Sequence, residues 1–285
     1  MGEVVKGTRF GVAPLSDQAE EPAAQLWTAL RTEAERVAGK DPLLRSFIHM
    51  AVLSQTDFPA ALAAHLSRKL GDWYIAPERL IDLALAAYAE DAGIIASAVV
   101  DLNAIVARDP AADSHLTPFL YFKGFLALQW HRVGHWLWTQ GRGELAHFLQ
   151  SRVSEVFAVD IHPAVPIGRG VFIDHGTGVV IGETAVIGND VSILQHVTLG
   201  GTGKEHGDRH PKVRDGVLLA AGSKVLGNIE IGRFAKVGAG SVVLKPVPPG
   251  ATVAGVPARV VGWATSDKAP AIEMDMSLPE PEYAI

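Results

Sequence analysis

The apolar residues of this 285-residue chain follow two different periods, and the change falls near residue 155. Before it, they recur every three or four positions among Ala, Leu, Glu and Arg, as in PERLIDLALAAYAEDAG (77–93). This spacing places apolar side chains on one face of a helix. It predicts an all-α domain over residues 18–158, preceded by a disordered segment over 1–17.

Two local signals refine the helical half. Thr117–Pro118 predicts the start of a long helix, and Gly141 is placed to end it. The apolar stretch over 93–107 is interrupted by Asp101 and Asn103, which predicts a buried helix and not a membrane span.

After residue 160, Gly, Val and Ile replace the helix formers, and the apolar residues fall at a fixed interval of six. A strand repeats every two residues and a helix every 3.6, so this interval indicates a solenoid built from hexapeptides. It predicts an α+β chain whose second domain, 159–264, is a left-handed parallel β-helix, followed by a flexible tail over 265–285. The three series are Ile161, Ile167, Ile173; Ile181, Ile187, Ile193, Leu199; and Val213, Leu219, Val225, Ile231, Val237, Val243.

The six-residue register breaks twice, and both breaks carry histidine beside charged residues. Two extra residues separate Ile173 from Ile181, across DHGTGVV. A fourteen-residue step from Leu199 to Val213 predicts an extruded polar loop, GGTGKEHGDRHPK (200–212). Stacking of the coils does not require either insertion, so both are candidates for function.

These irregular segments hold residues suited to acyl transfer onto a hydroxyl. An alkanol is a weak nucleophile that needs a base, and we take His175 as the candidate. A carboxylate that orients the imidazole is expected from Asp160 or Asp174; Asp160 is favoured, because neighbouring strand residues face opposite ways. Arg209 and His210 on the loop are suited to binding a carboxylate.

Composition narrows the function classes. The net charge of -6 supplies no basic field, so neither nucleic acid nor a membrane surface is an expected partner. The absence of cysteine excludes disulfides, thiolate zinc sites and cysteine nucleophiles. No secretory signal is recognisable at the N-terminus, and a cytoplasmic enzyme is expected.

The sequence resembles the bacterial serine acetyltransferases of the hexapeptide-repeat acyltransferase superfamily, from about residue 24 to 268. The first two segments that carry the resemblance are specific, since they include a helical domain that other members lack, whereas the third is shared widely. They are RDPAADSHLTPFLYFKGFLALQWHRVGHWLWTQGR, VDIHPAVPIGRGVFIDHGTGVVIGETAVIGNDVSILQHVTLGGTGKEHGDRHPKVRDG and VGAGSVVLKPVPPGATVAGVPARVVG.

The resemblance implies the reaction and the serine site. Acetyl-CoA and L-serine give O-acetyl-L-serine and CoA, the first step of cysteine biosynthesis. His175 would be the general base with Asp160 orienting it, and Asp109 would join Asp174 in binding the serine ammonium. The serine carboxylate would be bound by the loop residues Arg209 and His210.

The resemblance also implies partners. Acetyl-CoA would lie in a groove between neighbouring subunits, lined by Gly201, Ala221, Lys236 and Ala239. Residues 220–221 read Ala-Ala where Gly-Ala is expected, which would slightly narrow this groove. The family forms trimers that pair into hexamers and is feedback-inhibited by L-cysteine.

The tail has one implied partner of its own. In this family the C-terminal isoleucine, here Ile285, inserts its carboxylate into the active site of O-acetylserine sulfhydrylase. The residues that precede Ile285 are not the usual ones.

Three other functions remain open on sequence. One is a β-helix zinc enzyme of the carbonic anhydrase type, although the acetyltransferase hypothesis expects no metal. A second is a scaffold that binds the sulfhydrylase, and a third is acetylation of another hydroxyl, such as that of homoserine or a sugar. Under the zinc hypothesis, the candidate ligands of the ion are His162, His175, His196, His206 and His210.

Overall fold

The computed structural model describes residues 20–203, 206–264 and 268–278, and within them a helical domain leads into a three-sided coil of parallel strands. The predictions for residues 1–17 and Ile285 fall outside the described residues. The helices of the first domain are α1 Glu20–Lys40, α2 Arg45–Ile48 continued by a π-helical turn His49–Leu53, α3 Phe58–Leu70, α4 Pro77–Glu90, α5 Ala92–Arg108, α6 Leu116–Tyr121, α7 Lys123–Thr139 and α8 Gly143–Phe157.

The long helix predicted from Thr117 is in fact two helices. The backbone of Phe122 is extended, with φ −79° and ψ 103°, so α6 ends at Tyr121 and α7 begins at Lys123. The break allows the first turn of α7 to meet the β-helix directly. The predicted end is confirmed, since Gly141 follows α7 with φ of 75°.

Fourteen short strands form the second half of the described chain, and they confirm the predicted left-handed β-helix. Sheet A has the order β1-β3-β6-β9-β12, sheet B β4-β7-β10, and sheet C β2-β5-β8-β11-β13, with β14 added antiparallel to β13. The strands are β1 Val159–Ile161, β2 Phe172–Ile173, β3 Val179–Ile181, β4 Val186–Ile187, β5 Ser192–Ile193, β6 Thr198–Gly200, β7 Lys212–Val213, β8 Leu218–Leu219, β9 Lys224–Leu226, β10 Glu230–Ile231, β11 Lys236–Val237, β12 Val242–Val243, β13 Ala251–Gly255 and β14 Ala258–Trp263.

The six-residue period is the geometry of the coil. Val213, Leu219 and Val225 lie in sheets B, C and A in turn, and Ile231 returns to sheet B beside Val213. Each hexapeptide therefore supplies one side, and three complete a turn. All four side chains are at most 1% exposed, because they fill the axis of the coil.

One apolar core runs through both halves, from α1 to β13. Where the halves meet, a buried ion pair joins α5 and α7 to the first coil. The fully buried Asp101 accepts hydrogen bonds from Arg132 at 2.7 and 3.1 Å and from the backbone N–H of Val171 at 2.9 Å. Arg132 in turn donates to the carbonyls of Ile167 and Gly168. Loss of either charge would leave its partner unpaired in the core, which costs about 3–5 kcal/mol.

Three more side chains of these helices bind carbonyls of the first coil. His131 donates to Val165 O at 2.9 Å, and a ring nitrogen of His135 lies 2.8 Å from Pro163 O. Arg108 donates to Gly170 O at 2.9 Å. The helical domain thus satisfies backbone groups that have no preceding coil to pair with.

Part of the segment predicted as a flexible tail packs on the β-helix. Residues 268–278 include a short helix, α9 Pro270–Glu273, and Ala271 is fully buried. The hydroxyl of Ser192 donates to Ala271 O at 2.8 Å. The structure differs from the prediction here because a few small side chains and backbone bonds hold the segment, and composition does not reveal these.

Within the described residues, no single helix is long and apolar enough to cross a membrane. Helices α4 and α5 meet the length and composition criteria only when taken together, across a bend of 100°.

We predict that acid destabilises the fold through its buried histidines. Burial lowers the pKa of His65 to about 4 and of His131 to about 3 from an ordinary 6.5. The unfolded chain therefore binds protons first as pH falls below 6.5. The free energy of unfolding, undiminished above that pH, should fall by up to about 1.4 kcal/mol per pH unit for each histidine.

Urea denaturation between pH 7.5 and 4.5 measures this slope. His131→Gln should flatten it by one histidine's share. An unaltered slope in His131→Gln would contradict the assignment.

Candidate active site

The first register break forms the corner between sheets C and A. Asp174 and His175 follow β2 there, and His175 takes a left-handed backbone with φ of 55°. Non-glycine residues adopt this backbone conformation infrequently, and His196 shares it at the same corner of the next coil. The turn aims the His175 side chain outward, where 73% of it is exposed, and Asp174 Oδ1 lies 3.8 Å from its Nε2.

The first turn of helix α7 packs against this corner. Gly124 packs so closely on it that an added Cβ would lie 2.0 Å from the carbonyl oxygen of Ile173, the residue just before Asp174. The Cα of Gly124 also lies 3.3 Å from the Cβ position of Gly176. Lys123 donates a short hydrogen bond to the hydroxyl of Thr177. The helix therefore holds the corner on both sides of His175.

Asp109 reaches the same corner from the loop after α5. The preceding residue, Arg108, anchors this loop through its ion pair with Asp190, 3.1 Å long. Burial is the main cause that raises the pKa of Asp174; the charge of Asp109 adds to it, and His175 opposes it. Two carboxylates side by side favour a cation between them. Asp109, Asp174 and His175 form what we call the corner group.

The extruded loop leaves the next corner, between sheets A and B. There the guanidinium of Arg209 pairs with Glu183 at 2.8 Å, and this hydrogen bond lowers the pKa of the Glu183 carboxyl. Thr184 accepts hydrogen bonds from the backbone N–H groups of Arg209 and His210 at 2.9 and 3.0 Å. Lys212 closes the loop base by donating to Asp208 at 2.6 Å.

These contacts also fix the tautomer of His210, which is 7% exposed. The backbone N–H of Thr184 donates to His210 Nδ1 at 3.1 Å, so this nitrogen must accept and Nε2 must carry the proton. Burial and the charge of Arg209 lower the pKa of His210. The neutral ring therefore presents an N–H donor. Gly182 makes room for it, since an added Cβ would lie 2.1 Å from Nε2.

Asp160 projects from β1 on the outer face of sheet A. Its Oδ1 accepts a hydrogen bond of 2.7 Å from Gln150 of α8. Burial lowers the pKa of the nearby His162, while the charges of Glu183 and Asp160 oppose this effect and that of Arg209 adds to it. Asp160 thus shares an electrostatic neighbourhood with the loop residues. We call Asp160, Arg209 and His210 the loop group.

The six residues singled out on sequence therefore form two groups at different corners. Among the described residues, no hydrogen bond or ion pair joins the corner group to the loop group. The expected contact between Asp160 and His175 is absent within one chain. The sequence alone did not identify Gln150, Glu183 and Thr184, which contact the site residues. For Glu183 and Thr184 a signal was available, because the polar triplet Gly-Glu-Thr (182–184) lies one coil before the extruded loop.

Two predicted acetyl-CoA contacts lie on the corner of His175. Backbone hydrogen bonds stack Thr177, Gln195, Ala221 and Ala239 on successive coils: His196 N–H to Thr177 O, Gly222 N–H to Gln195 O, and Gly240 N–H to Ala221 O. At about 4.8 Å per coil, Ala239 lies about 14 Å along the axis from His175. Ala239 is exposed and Ala221 half-buried, so two small residues follow Gln195 along this corner, away from the histidine.

The other two predicted contacts lie elsewhere. Gly201 begins the extruded loop, and its Cβ position is 3.6 Å from the Arg209 side chain. Lys236 lies under the C-terminal segment, where it donates to Ser277 O at 2.7 Å and pairs with Asp275 at 3.7 Å. In the described part of the chain, no group of three or more His, Asp or Glu side chains is arranged to hold a metal ion.

A three-sided coil with a histidine at one corner and a cationic loop at the next has the architecture of the hexapeptide-repeat acyltransferases. Comparison with known proteins defines the member. Residues 26–130 match the family model "Serine acetyltransferase, N-terminal". The chain is 56% identical over 250 residues to a serine acetyltransferase of Escherichia coli (strain K12), covering 88% of this chain and 91% of that protein. It belongs to the serine acetyltransferase family.

Solved structures agree with this assignment. A serine acetyltransferase in complex with cysteine is 49% identical, with a TM-score of 0.87 over 90% of this chain and 99% of that one. The Neisseria gonorrhoeae enzyme in complex with serine is 51% identical, with a TM-score of 0.80 over 82% and 96% of the two chains. The predicted activity is confirmed: this is a serine O-acetyltransferase of cysteine biosynthesis, which implies acetyl-CoA as co-substrate.

We predict that Gly124→Ala disrupts the corner group. An added methyl group at 2.0 Å from Ile173 O forces α7 away from β2. Overpacking of this kind costs about 1–3 kcal/mol, and the displaced corner should lower kcat as well. Thermal unfolding and steady-state kinetics on the purified variant measure both effects.

Gly134→Ala is the matched control on the same helix, since no heavy atom other than those of its chain neighbours and its own helix backbone lies within 4 Å of its Cβ position. It should keep wild-type activity and gain about 0.5–1 kcal/mol from helix propensity. Equal behaviour of the two variants would show that the contact with Ile173 does not matter.

Proposed function

We propose that a complete active site forms where the corner group of one chain meets the loop group of a neighbouring copy. The observation that supports this is the division of the six site residues between two corners of one coil. His175, largely exposed in the single chain, would be covered by the neighbour. Val180, next to Asp160 across sheet A, is 42% exposed and supplies apolar surface for such a contact.

In this site His175 acts as the general base. It takes the proton of the serine hydroxyl as that oxygen attacks the thioester carbonyl of acetyl-CoA. The new C–O bond forms, the C–S bond breaks, and the imidazolium returns its proton to the departing CoA thiolate. Asp160 of the neighbouring copy orients the ring and stabilises its charged form.

Serine is held at both of its charged ends. Asp109 and Asp174 bind the ammonium group, which offsets the repulsion between their carboxylates. Arg209 and the Nε2–H of His210 donate to the carboxylate. The hydroxyl then lies between the two groups, next to His175.

Acetyl-CoA extends from His175 along the same corner of the coil, past Ala221 and Ala239. Gly201 of the neighbouring loop forms the opposite wall, and Lys236 binds a phosphate once it leaves the carbonyl of Ser277. Three such sites close a trimer of β-helices, and pairing of two trimers through the helical domains gives a hexamer.

We predict that inactive variants complement each other. H175A and R209A should each lose activity by a factor on the order of 100 or more, because each removes one half of every site. When the two chains are co-expressed, random assembly gives intact halves at about one quarter of the interfaces. CoA release with L-serine should therefore recover to about a quarter of wild type.

The control pairs H175A with D174A, both in the corner group, so that every interface keeps a damaged half. This pair should show no recovery. If co-expression of H175A with R209A also gave no recovery, the complete site would lie within one protomer.

Inhibition by L-cysteine follows from the same contacts. Cysteine has the ammonium and carboxylate of serine and differs at the reacting atom, so it occupies the serine site. A related enzyme of this family has been solved in complex with cysteine.

We predict inhibition that is competitive with serine. R209A should weaken serine and cysteine alike, by about ten- to a hundredfold, because both lose a charge-assisted hydrogen bond. The exposed Arg169→Ala, at the corner between sheets B and C, serves as the control and should change neither. Non-competitive inhibition that R209A leaves intact would reject the shared site.

A further inference from the structure

We propose that Gln150 is a positioning residue that holds Asp160 in its catalytic orientation. The inference rests on the proposed role of Asp160 beside His175. Gln150 is the middle residue of α8, seven residues before the helix ends, and its amide donates to Asp160 of β1 at 2.7 Å.

The direction of each hydrogen bond can be assigned. An ionised carboxylate only accepts, so the amide NH₂ of Gln150 must face Asp160. Its carbonyl oxygen then faces His147, whose Nδ1 lies 3.1 Å away and must carry a proton. The amide therefore has a single consistent orientation, fixed from the far side by His147.

His147 is itself positioned by contacts with two other rings. His147 lies edge-on to Trp138 and to His162, with ring centroids 5.4 and 5.2 Å apart, and Trp138 contacts His162 at 5.2 Å. These contacts join α7, α8 and the turn after β1. The donor to Asp160 thus has support from three parts of the fold.

Gln150 donates a hydrogen bond to only one carboxylate oxygen of Asp160, so the other oxygen can accept a hydrogen bond from elsewhere. In the described structure, Oδ2 of Asp160 has no hydrogen-bond partner within the chain. A carboxylate held at Oδ1 presents Oδ2 in a fixed direction on the outer face of sheet A. This arrangement suits a carboxylate that must accept a hydrogen bond from an imidazole of a neighbouring copy.

The test compares Gln150→Met, which removes the donor, with Gln150→Glu, which replaces it by an acid. Gln150→Met should lower kcat about tenfold with little change in KM for serine, and its activity relative to wild type should not vary with pH. In Gln150→Glu the two carboxylates share one proton at low pH and keep their hydrogen bond. Its relative activity should therefore fall as pH rises.

Other titratable and charged groups near residue 150 and Asp160 also affect how activity depends on pH. They are His147, which contacts the amide, His162, whose ring contacts that of His147, and Glu183 and Arg209, whose charges act on His162. All of them are unchanged in both variants, so the difference between the two profiles isolates the residue at 150. A merely structural role for Gln150 predicts profiles of the same shape for both.

Gln25→Met is the matched control, because Gln25 also donates to a carboxylate, that of Glu21, on the exposed face of α1. It should leave kcat unchanged. The decisive comparison adds Gln150→Met to Asp160→Ala. If Gln150 acts through Asp160, the double variant should be no slower than Asp160→Ala alone.

The outcomes separate the two proposals. Wild-type kcat in Asp160→Ala would reject the role proposed for Asp160. An impaired Asp160→Ala with a fully active Gln150→Met would reject the positioning role alone, as would a full tenfold loss on top of Asp160→Ala.

Discussion

The fold depends on how the open end of the β-helix is closed. A parallel coil pairs each turn with the next, so the backbone groups of its first turn that face away from the second turn have no partner in the coil itself. Asp101 and Arg132 fill that role from the helical domain, as the ion pair binds the N–H of Val171 and the carbonyls of Ile167 and Gly168. A charge pair this deeply buried is tolerated because its hydrogen bonds are met by the backbone it covers.

The same docking positions the corner that carries His175. Once α7 lies on the first coil, Gly124 contacts Ile173 and fixes the turn that carries His175, two residues further on. Helix α5 delivers Asp109 by the same route, since Arg108 at its end is bound to the coil through Gly170 and Ser192. The helical domain is therefore the cap of the solenoid and, in the proposed site, would also form a wall of the serine pocket.

Separation of the two groups has an electrostatic logic. The corner group concentrates two carboxylates where the ammonium of serine would bind, while the loop group presents Arg209 and a neutral His210 to the carboxylate. A zwitterion binds where opposite charges face each other. One chain supplies each charge on a different corner, and in the proposed site the apposition of two copies would bring them together at the reacting hydroxyl.

By itself, the sequence determined the two periods, the three-sided coil, the two register breaks and the residue types that they carry, because these depend on spacing along the chain. The resemblance added the reaction and Asp109, which spacing would not have found. Tertiary structure decided the rest. The break at Phe122, the packing of 268–278 and the supports at Gln150 and Thr184 arise from contacts between distant segments. Such contacts leave no periodic trace in a single sequence, since each is specified by the shapes that meet and not by the order of residues.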